Sequence, residues 1–319
     1  MSRLDPAVAT IRNAVRSALP RNGLVLVACS GGADSLALAA ATRFVAPAAG
    51  LVTVDHQLQE GSAQRAASLA KWAVAEGFDP VEVATVEVGR EGGPEAAARE
   101  ARYGALASLG RKHHASVLLG HTEDDQAETV LLALTRGSGP RGLAGMPAER
   151  ELDGVRFLRP LLGVSRETCR AACVALGLSP WDDPHNTDPA FARSRLRLAM
   201  STLVQALGED VVPNLARSAR QIGIDARYLD GLAQKALEEA SVPDGLRVEA
   251  LATLPDALRG RVLHAWAVAL GVARAALSHR HVAALDALVT DWHGQGPTQL
   301  PGGVSVRRAA GVLLTDNRS

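Results

Sequence analysis

A short polar motif, Ser30-Gly31-Gly32-Ala33-Asp34-Ser35, lies between an apolar run and a helix-forming segment. Adjacent glycines let successive backbone N–H groups curl around an anion, and the dipole of the following helix adds positive potential there. Asp34 can hold a Mg2+ ion bound to phosphates, and the hydroxyls of Ser30 and Ser35 add hydrogen-bond donors. We therefore expect a phosphate-binding loop with Asp34 as its metal ligand; a tight turn without a ligand is the alternative.

A second polar motif, Gly120-His121-Thr122-Glu123-Asp124-Asp125-Gln126-Ala127-Glu128-Thr129, follows another apolar run. Asp125 and Glu128 are three residues apart and share one helix face. The helix dipole favours acidic residues in a first turn, which is enough to explain any single carboxylate here. Four carboxylates and a histidine at one place indicate more, namely a site for Mg2+ or for a substrate that carries an amine.

A third motif, Val54-Asp55-His56, ends another apolar run. Asp55 and His56 are candidates to line a nucleotide pocket, through the backbone or through the Asp55 carboxylate. A simple cap of the turn after the strand explains the same two residues equally well, so this motif depends on the first one for its interpretation.

The elements that must position these motifs alternate between strand and helix. Wholly apolar runs are typical of buried parallel strands, and helical periodicity separates them. The pattern predicts a Rossmann-like parallel sheet with helices on both faces, in which ligands bind at the carboxyl ends of the strands. All three motifs follow strands. The expected strands are 24–28, 51–55, 81–88 and 116–120, and the expected helices are 1–19, 36–40, 62–76, one from Pro94, and 124–134.

The rest of the chain predicts a loop-like stretch and then a second, mainly helical domain. Residues 137–160 are rich in glycine and proline and are expected to be loop. We expect a first, catalytic domain over residues 1–212, which carry the three motifs, and a second, substrate-binding domain over residues 213–319. The remaining expectations are helices at 165–177, 213–240, 255–270 and 277–291, a loop and an Arg-rich helix start within 181–197, and a hairpin over 299–315.

Composition limits the classes of protein that fit. The chain has 319 residues, of which 47% are apolar and 21% charged, which indicates a globular protein with a sizeable core. Its formal net charge of zero argues against bulk non-specific binding of nucleic acid. The sequence contains no run of 18 apolar residues, so it predicts no membrane span. The three cysteines, Cys29, Cys169 and Cys173, favour a reducing compartment, so we expect a cytoplasmic protein, and the last two read best as core residues.

The Ser30–Ser35 motif resembles the PP-loop of the N-type ATP pyrophosphatases, which split ATP between its α- and β-phosphates. The stretch GHTEDDQAETVLLALTRGSGPRGLAGM (120–146) further resembles the tRNA(Ile)-lysidine synthetase family. Two departures from the family pattern are His185, where serine is usual, and Ala310, which is often aromatic. Five other segments agree with the family in order: VDHQLQEGS (54–62), PEAAAREARY (94–103), RPLLGVSRE (159–167), WDDPHNTDPAFARSRLR (181–197) and LPGGVSVRRAAGVLL (300–314).

This resemblance implies a specific reaction. The family attaches free L-lysine to C2 of the wobble cytidine of a tRNA(Ile) with a CAU anticodon, and it converts ATP to AMP and pyrophosphate through an O2-adenylate. ATP and Mg2+ are therefore the expected cofactors, and the tRNA and lysine the expected partners. A homodimer is compatible with the resemblance, although no residue pattern requires one.

The resemblance also implies roles for residues at matching positions. Asp125 and Glu128 would grip the amino groups of lysine, while Arg99 and Arg193 would contact the cytidine, the tRNA phosphates or the adenylate. Taken without the family, each arginine is better explained by a solvated helix face or a salt bridge. The expected catalytic set is Asp34, Arg99, Asp125, Glu128 and Arg193.

Three other functions compete with this hypothesis. A tRNA 2-thiolation enzyme of the same class would need a reactive cysteine or an iron–sulfur cluster, typically from C-x2-C pairs, whereas Cys169 and Cys173 have C-x3-C spacing. An amide-forming synthetase for a small metabolite fits the zero net charge, but not the segments at 120–146 and 181–197. A non-catalytic nucleotide- or RNA-binding module would not need Asp34 or the carboxylates after His121.

Overall fold

The computed structural model describes residues 4–57, 59, 61–87, 89, 93–183, 192–274 and 276–316. The chain divides into two compact units, residues 1–223 and 224–319, which are described separately. The departure at His185 lies outside the described residues. No helix among the described residues is long and apolar enough to span a membrane.

A six-stranded sheet forms the centre of the first unit, in the order β3-β2-β1-β4-β6-β5. Neighbouring strands are parallel except for the antiparallel pair β5–β6. The chain proceeds from β1 to one side through β2 and β3, and β4 then pairs with β1 on the other side. The sheet therefore has a topological switch point between β1 and β4, where ligands bind in open α/β sheets. The strands are β1 (Val25–Ala28), β2 (Ala49–Asp55), β3 (Val81–Thr85), β4 (Ser116–Leu119), β5 (Glu149–Leu152) and β6 (Val155–Leu158).

Helices cover both faces of this sheet because its strands bury side chains on both sides. Val25 and Val27 of β1 pack into a core with α1, α2 and α7, whereas Leu26 between them packs into a second core with α4. This alternation is the period of two expected for a strand. The helices of this unit are α1 (Pro6–Ala18), α2 (Ala33–Val45), α3 (Ser62–Ala75), α4 (Pro94–Lys112), α5 (Glu123–Thr135), α6 (Pro140–Leu143), α7 (Arg166–Ala175) and α8 (Ala192–Leu207).

The expectation that residues 137–160 form loop was wrong. The stretch contains α6 and the β5–β6 hairpin, closed by the two-residue turn Asp153-Gly154. β5 is Glu149-Arg150-Glu151-Leu152 and is largely exposed, so it lacks the apolar signal of the other strands. An Asp-Gly pair between two short segments is nevertheless a recognised hairpin signal, and it was available in the sequence.

The second unit combines helices with a small antiparallel sheet in the order β7-β8-β11-β10-β9. Its core is built from buried leucines such as Leu246, Leu263 and Leu285. The three long helices and the C-terminal hairpin were predicted, but β7 and β8 were not. The domain boundary placed at residue 213 lies near the start of α9 and stays a prediction. The elements are α9 (Val211–Ala240), which belongs to this unit from residue 224 onward, β7 (Ser241–Val242), β8 (Gly245–Arg247), α10 (Val248–Ala252), α11 (Asp256–Ala269), α12 (His279–Thr290), β9 (Thr298–Gln299), β10 (Ser305–Ala309) and β11 (Val312–Asp316).

Candidate active site

The loop between β1 and α2 has the shape of an anion cradle. Gly31 has a φ of 85°, in the left-handed region that favours glycine, and Gly32 caps the helix that begins at Ala33. The Ser35 hydroxyl accepts a hydrogen bond from the Ser30 N–H at 3.1 Å and donates to the Gly32 carbonyl at 2.9 Å. The loop is thereby held closed at the N-terminus of α2, where backbone N–H groups and the helix dipole attract phosphate.

Asp34 lies in the first turn of α2 with one carboxylate oxygen unused. Its Oδ1 is buried and has no hydrogen-bond partner, while Oδ2 lies 3.6 Å from Nε of Arg166. Burial raises the pKa of Asp34 to about 6, and the charge of Arg166 only partly opposes that rise. A buried, incompletely paired carboxylate of this kind favours the arrival of a cation.

Three more carboxylates approach the same arginine from the start of α5. Nη2 of Arg166 donates to Oδ1 of Asp125 at 3.0 Å and to Oε1 of Glu128 at 3.2 Å. Its Nη1 lies 4.0 Å from Oδ1 of Asp124. Burial alone would lower the pKa of Arg166, but these carboxylates and Asp34 raise it above its ordinary value. We call the four acidic residues and Arg166 the carboxylate cluster.

Glu128 lies deepest in the carboxylate cluster, with 2% of its side chain exposed. Arg197 from α8 donates to its Oε1 at 3.0 Å and to its Oε2 at 3.3 Å. Asp125 is also engaged, because its Oδ2 accepts from the Thr122 N–H at 2.8 Å in a capping box at the start of α5. A cation that binds Asp125 or Glu128 must therefore share them with arginines.

Gly120 brings the end of β4 against the phosphate loop. A Cβ at this position would lie 3.2 Å from the backbone carbonyl group of Asp34 and from Cα of Ser35. Glycine therefore permits the approach that puts the carboxylates of α5 beside the loop of α2. His121, the next residue, has a buried Nδ1 without a partner, and burial holds its pKa well below the usual value. Its imidazole is therefore neutral near neutral pH.

Arginines gather around Tyr103 of α4 on another side of the cleft. The Tyr103 hydroxyl accepts hydrogen bonds from Arg99 at 3.4 Å and from Arg159 at 3.2 Å, and the guanidinium of Arg102 lies 5.6 Å from its ring centroid. Burial alone would raise the pKa of Tyr103, but these arginines lower it below the usual value. Burial and neighbouring arginines also lower the pKa of Arg99, with Arg193 contributing. This wall therefore suits an anion.

The other predicted residues lie at defined places. Arg193 of α8 donates to the Thr129 hydroxyl at 3.3 Å, which puts it beside α5. Asp55 is buried at the end of β2, and its Oδ1 accepts from the Gln57 N–H at 2.9 Å, as a turn cap would. His56 has a buried Nδ1 without a partner, and burial lowers its pKa.

These groups enclose a cleft of about 1470 Å³ at the switch point of the sheet. The loop at 30–35 and the pair Asp55 and His56 line it, as do Asp125 and Arg193. Arg99 and Glu128 stand behind the lining, next to Tyr103 and Arg166 respectively. One wall of the cleft is therefore acidic and another basic.

The phosphate loop and Asp34 fit a Mg2+ ion that is shared with nucleotide phosphates. The described residues contain no group of three or more His, Cys, Asp or Glu side chains arranged to hold a metal. Mg2+ is, however, commonly bound by one or two carboxylates together with substrate phosphates and water. The unpartnered Oδ1 of Asp34 at the mouth of the phosphate loop meets that requirement.

Sequence reasoning did not assign functions to four residues in or behind the cleft wall, two of which line the cleft directly (Arg166 and Trp181). They are Arg166, Arg159, Tyr103 and Trp181. Trp181 donates its backbone N–H to the Gly31 carbonyl at 3.0 Å, and its ring lies 4.5 Å from the guanidinium of Arg65. These residues come from separate segments, and each segment agrees with the family pattern: 94–103 contains Tyr103, 159–167 contains both arginines, and 181–197 begins with Trp181. That agreement was the available signal, but it did not show which residues of each segment meet at the cleft.

All three cysteines are buried core residues, as predicted for Cys169 and Cys173. Cys29, Cys169 and Cys173 are at most 2% exposed and form no disulfide. Burial raises the pKa of Cys173 to about 11, and it also raises those of Cys29 and Cys169. These thiols are therefore protonated near neutral pH and poorly suited to nucleophilic sulfur chemistry.

The parallel sheet, its switch-point cleft and the loop after β1 define a PP-loop protein of the N-type ATP pyrophosphatase class. Residues 7–204 match the family model described as a PP-loop domain, and residues 246–314 match the model described as a TilS substrate binding domain. A solved U34-tRNA thiolase, NcsA from Methanococcus maripaludis with its [4Fe-4S] cluster, resembles 68% of this chain and 79% of its own, with a TM-score of 0.55 and 18% identity. That likeness concerns the fold alone.

Curated relatives narrow the class to one family. The chain is 64% identical to the tRNA(Ile)-lysidine synthase of Salinispora tropica, over 98% of this chain and 97% of the relative. It is 52% identical to the tRNA(Ile)-lysidine synthase of Thermobifida fusca, over 98% and 99% respectively. The chain belongs to the tRNA(Ile)-lysidine synthase family.

Proposed function

We propose that this protein ligates L-lysine to C2 of the wobble cytidine in a tRNA(Ile) with a CAU anticodon, and that it converts ATP to AMP and pyrophosphate. The modification changes decoding and aminoacylation from methionine to isoleucine. One observation carries the proposal: the phosphate loop and the carboxylate cluster open into the same cleft, beside an arginine-rich wall. A nucleotide, a cation and a polyanion can therefore meet there.

In the first step, O2 of the cytidine attacks the α-phosphorus of ATP, and pyrophosphate departs with the electrons of the broken P–O bond. O2 alone is a very poor leaving group, and adenylation divides one hard substitution into two easier ones. The backbone N–H groups of the loop at 30–35 and the Ser30 hydroxyl orient the phosphates. Asp34 would hold Mg2+, which neutralises charge on the departing pyrophosphate when it is bound.

In the second step, the side-chain amine of lysine attacks C2, and AMP leaves with O2. The free amine has a pKa of about 10.4, so lysine arrives as an ammonium. Asp125 and Glu128 attract this group, and the unpartnered Oδ1 of Asp34 lies in the same carboxylate cluster. A carboxylate also holds the proton on the amine, so the amine must be deprotonated after it is positioned.

Arg99 and Arg193 would bind the anionic part of the reacting complex. Arg102 and Arg193 line the cleft, and the buried Arg159 adds positive charge behind them, so a phosphate of the tRNA or the adenylate would be stabilised on this side of the cleft. A loop base such as the wobble cytidine can be turned out of its stack and recognised by its edge. Residues 213–319, which include the matched substrate-binding segment, would provide the second grip on the tRNA.

Two further parts of the proposal concern the state of the protein in the cell. We propose a cytoplasmic location, since the substrate is a tRNA and the three buried thiols are free. A homodimer is the assembly that the family suggests. Multi-angle light scattering of the purified protein, with and without tRNA, tests whether the protein is a homodimer.

The deciding experiment measures transfer of radiolabelled L-lysine to an unmodified tRNA(Ile) transcript with a CAU anticodon, in the presence of ATP and Mg2+. A transcript whose wobble cytidine is replaced by uridine is the control. We expect label on the cytidine transcript alone. AMP release without label would assign a different nucleophile, and the absence of both with any tRNA would favour a synthetase for a small metabolite.

A further inference from the structure

Arg166 contacts four carboxylates, which is more than either step of the proposed reaction requires. Its guanidinium lies 3.0 to 4.0 Å from oxygens of Asp34, Asp124, Asp125 and Glu128. These acids come from two helices, Asp34 from α2 beside the phosphate loop and the others from α5. Arg166 thus connects the part of the cleft that fits phosphates with the part that fits an amine.

The backbone holds Arg166 in place independently of its side chain. Arg166 is the first residue of α7, and Ser165 caps that helix by accepting a hydrogen bond from the Thr168 N–H. The N–H of Arg166 itself donates to Oδ2 of Asp124 at 2.8 Å. The side chain therefore leaves from a fixed point, and 20% of it is exposed at the cleft.

The planar guanidinium of Arg166 can donate hydrogen bonds to carboxylates on two of its sides. Nε faces Asp34, while Nη2 donates to Asp125 and Glu128. A lysine ammonium is a compact point charge on a flexible stem and cannot reproduce this fork. Removing the charge altogether would leave buried carboxylates that repel one another.

Arg166 does not neutralise the four acidic residues of the carboxylate cluster. Among the described residues, Arg166 and Arg197 form ion pairs with these four carboxylates. The four carboxylates carry more charge than these two arginines, and the excess negative charge favours binding of a cationic substrate or ion. Its role is therefore to set the positions of the acids while their attraction for a cation remains.

We propose that Arg166 is a positioning residue that holds Asp34 and the pair Asp125 and Glu128 in one frame, so that ATP cleavage and amine attack depend on the same side chain. This inference rests on the proposed function. Arg197 contacts Asp125 and Glu128 of α5, whereas Arg166 contacts both of these residues and also Asp34 of α2. Arg166 is thus the side chain that connects the site of ATP cleavage with the site of amine attack.

The test separates the two steps in the full-length protein. Exchange of labelled pyrophosphate into ATP, with tRNA and without lysine, measures the first step, and the KM for lysine in the complete reaction measures amine binding. Arg166→Lys keeps the charge and loses the fork. Since small misplacements of reacting groups are costly, we expect roughly tenfold slower exchange and a roughly tenfold higher KM for lysine.

Arg156→Met is the matched control, because Arg156 forms a two-contact ion pair with Glu149 on an exposed hairpin, at 2.7 and 3.0 Å. It should leave both readouts at the wild-type level. Arg166→Met is the second variant, and circular dichroism establishes whether each variant is folded. If Arg166→Met does not fold, the exchange rate and the KM for lysine of Arg166→Lys alone test the inference.

Wild-type kinetics in folded Arg166→Lys would overturn the inference, and so would a loss confined to one of the two readouts. Wild-type protein that transfers no lysine would instead overturn the proposed function. In that case the exchange reaction of the wild type against Arg166→Lys still shows whether Arg166 acts on the nucleotide side.

Discussion

The backbone N–H of Trp181 donates to the carbonyl oxygen of Gly31 at 3.0 Å, so the segment after α7 is attached to the phosphate loop. The Trp181 ring also lies 4.5 Å from the guanidinium of Arg65 on α3. The loop is therefore supported from a part of the chain about 150 residues away, which local sequence patterns do not reveal.

Trp181→Ala should weaken nucleotide binding without destroying it. A cation–π contact at a partly exposed site contributes about 0.5–1 kcal/mol, so we expect the KM for ATP to rise roughly two- to fivefold. Trp292→Ala is the control, because Trp292 has a comparable contact with Arg308 at 5.5 Å in the second unit. An unchanged KM in Trp181→Ala would show that the ring does not support the loop.

Asp34→Asn should abolish ATP cleavage, since it removes the charge beside the phosphate loop that we assign to Mg2+. We expect a loss of roughly a hundredfold or more in AMP formation, the scale for a group that stabilises developing charge. Asp153→Asn, in the exposed β5–β6 turn, should retain activity. Full activity in Asp34→Asn at ordinary Mg2+ concentration would contradict the metal assignment.

Tyr103 should ionise at a lower pH than an ordinary tyrosine, because Arg99 and Arg159 stabilise the phenolate more than burial destabilises it. The chain has two tyrosines, which makes the assignment direct. Titration followed by tyrosinate absorbance should show a step below about pH 10. Tyr103→Phe should remove that step, and Tyr228→Phe should keep it; the reverse result would place the low-pKa phenol elsewhere.

Gly120→Ala should disturb the phosphate loop, because its Cβ would lie 3.2 Å from backbone atoms of Asp34 and Ser35. Overpacking of this kind costs about 1–3 kcal/mol, and we expect a loss of that size in urea unfolding together with weaker ATP binding. Gly231→Ala in α9 is the control, since nothing lies within 4 Å of its Cβ. That change should stabilise the helix by about 0.5–1 kcal/mol.

Glu82 should make a small pH-dependent contribution to stability. Hydrogen bonds from Lys112 and His113, at 2.6 and 2.7 Å, lower its pKa in the folded state. The contribution is therefore present above the unfolded pKa of about 4.3 and is lost as pH falls through the lower folded value. Glu82→Gln should cost about 0.5 kcal/mol at neutral pH and nothing in strong acid, measured by urea unfolding.

The nucleotide-binding part of the fold was predictable because its signals are local. The apolar runs at β1, β2 and β4 are buried on both faces, and each motif that follows them lies within a few residues of its strand. β5 escaped prediction because its residues are mostly charged and exposed. The roles assigned to Arg99, Asp125, Glu128 and Arg193 stay predictions, although the structure brings the carboxylates together.

Arg166 and Arg159 could not be found in the same way. Arg166 reaches Asp125 across 41 positions of sequence, and Arg159 reaches Tyr103 across 56. The first contact joins α5 to α7, and the second joins α4 to the residue after β6, so both exist only in the folded chain. A pattern of residue types along the chain does not encode such distances, whereas a strand followed by a glycine-rich turn is complete within one short segment.

The charged face of β5 affects how copies of the chain meet. β5 is the outermost strand on one side of the large sheet, where open backbone groups invite a strand from another molecule. Glu149, Arg150 and Glu151 occupy that rim and are exposed. With a formal net charge of zero, the chain has little overall repulsion against its own copies. Local charge on this rim therefore protects the protein against aggregation at high concentration.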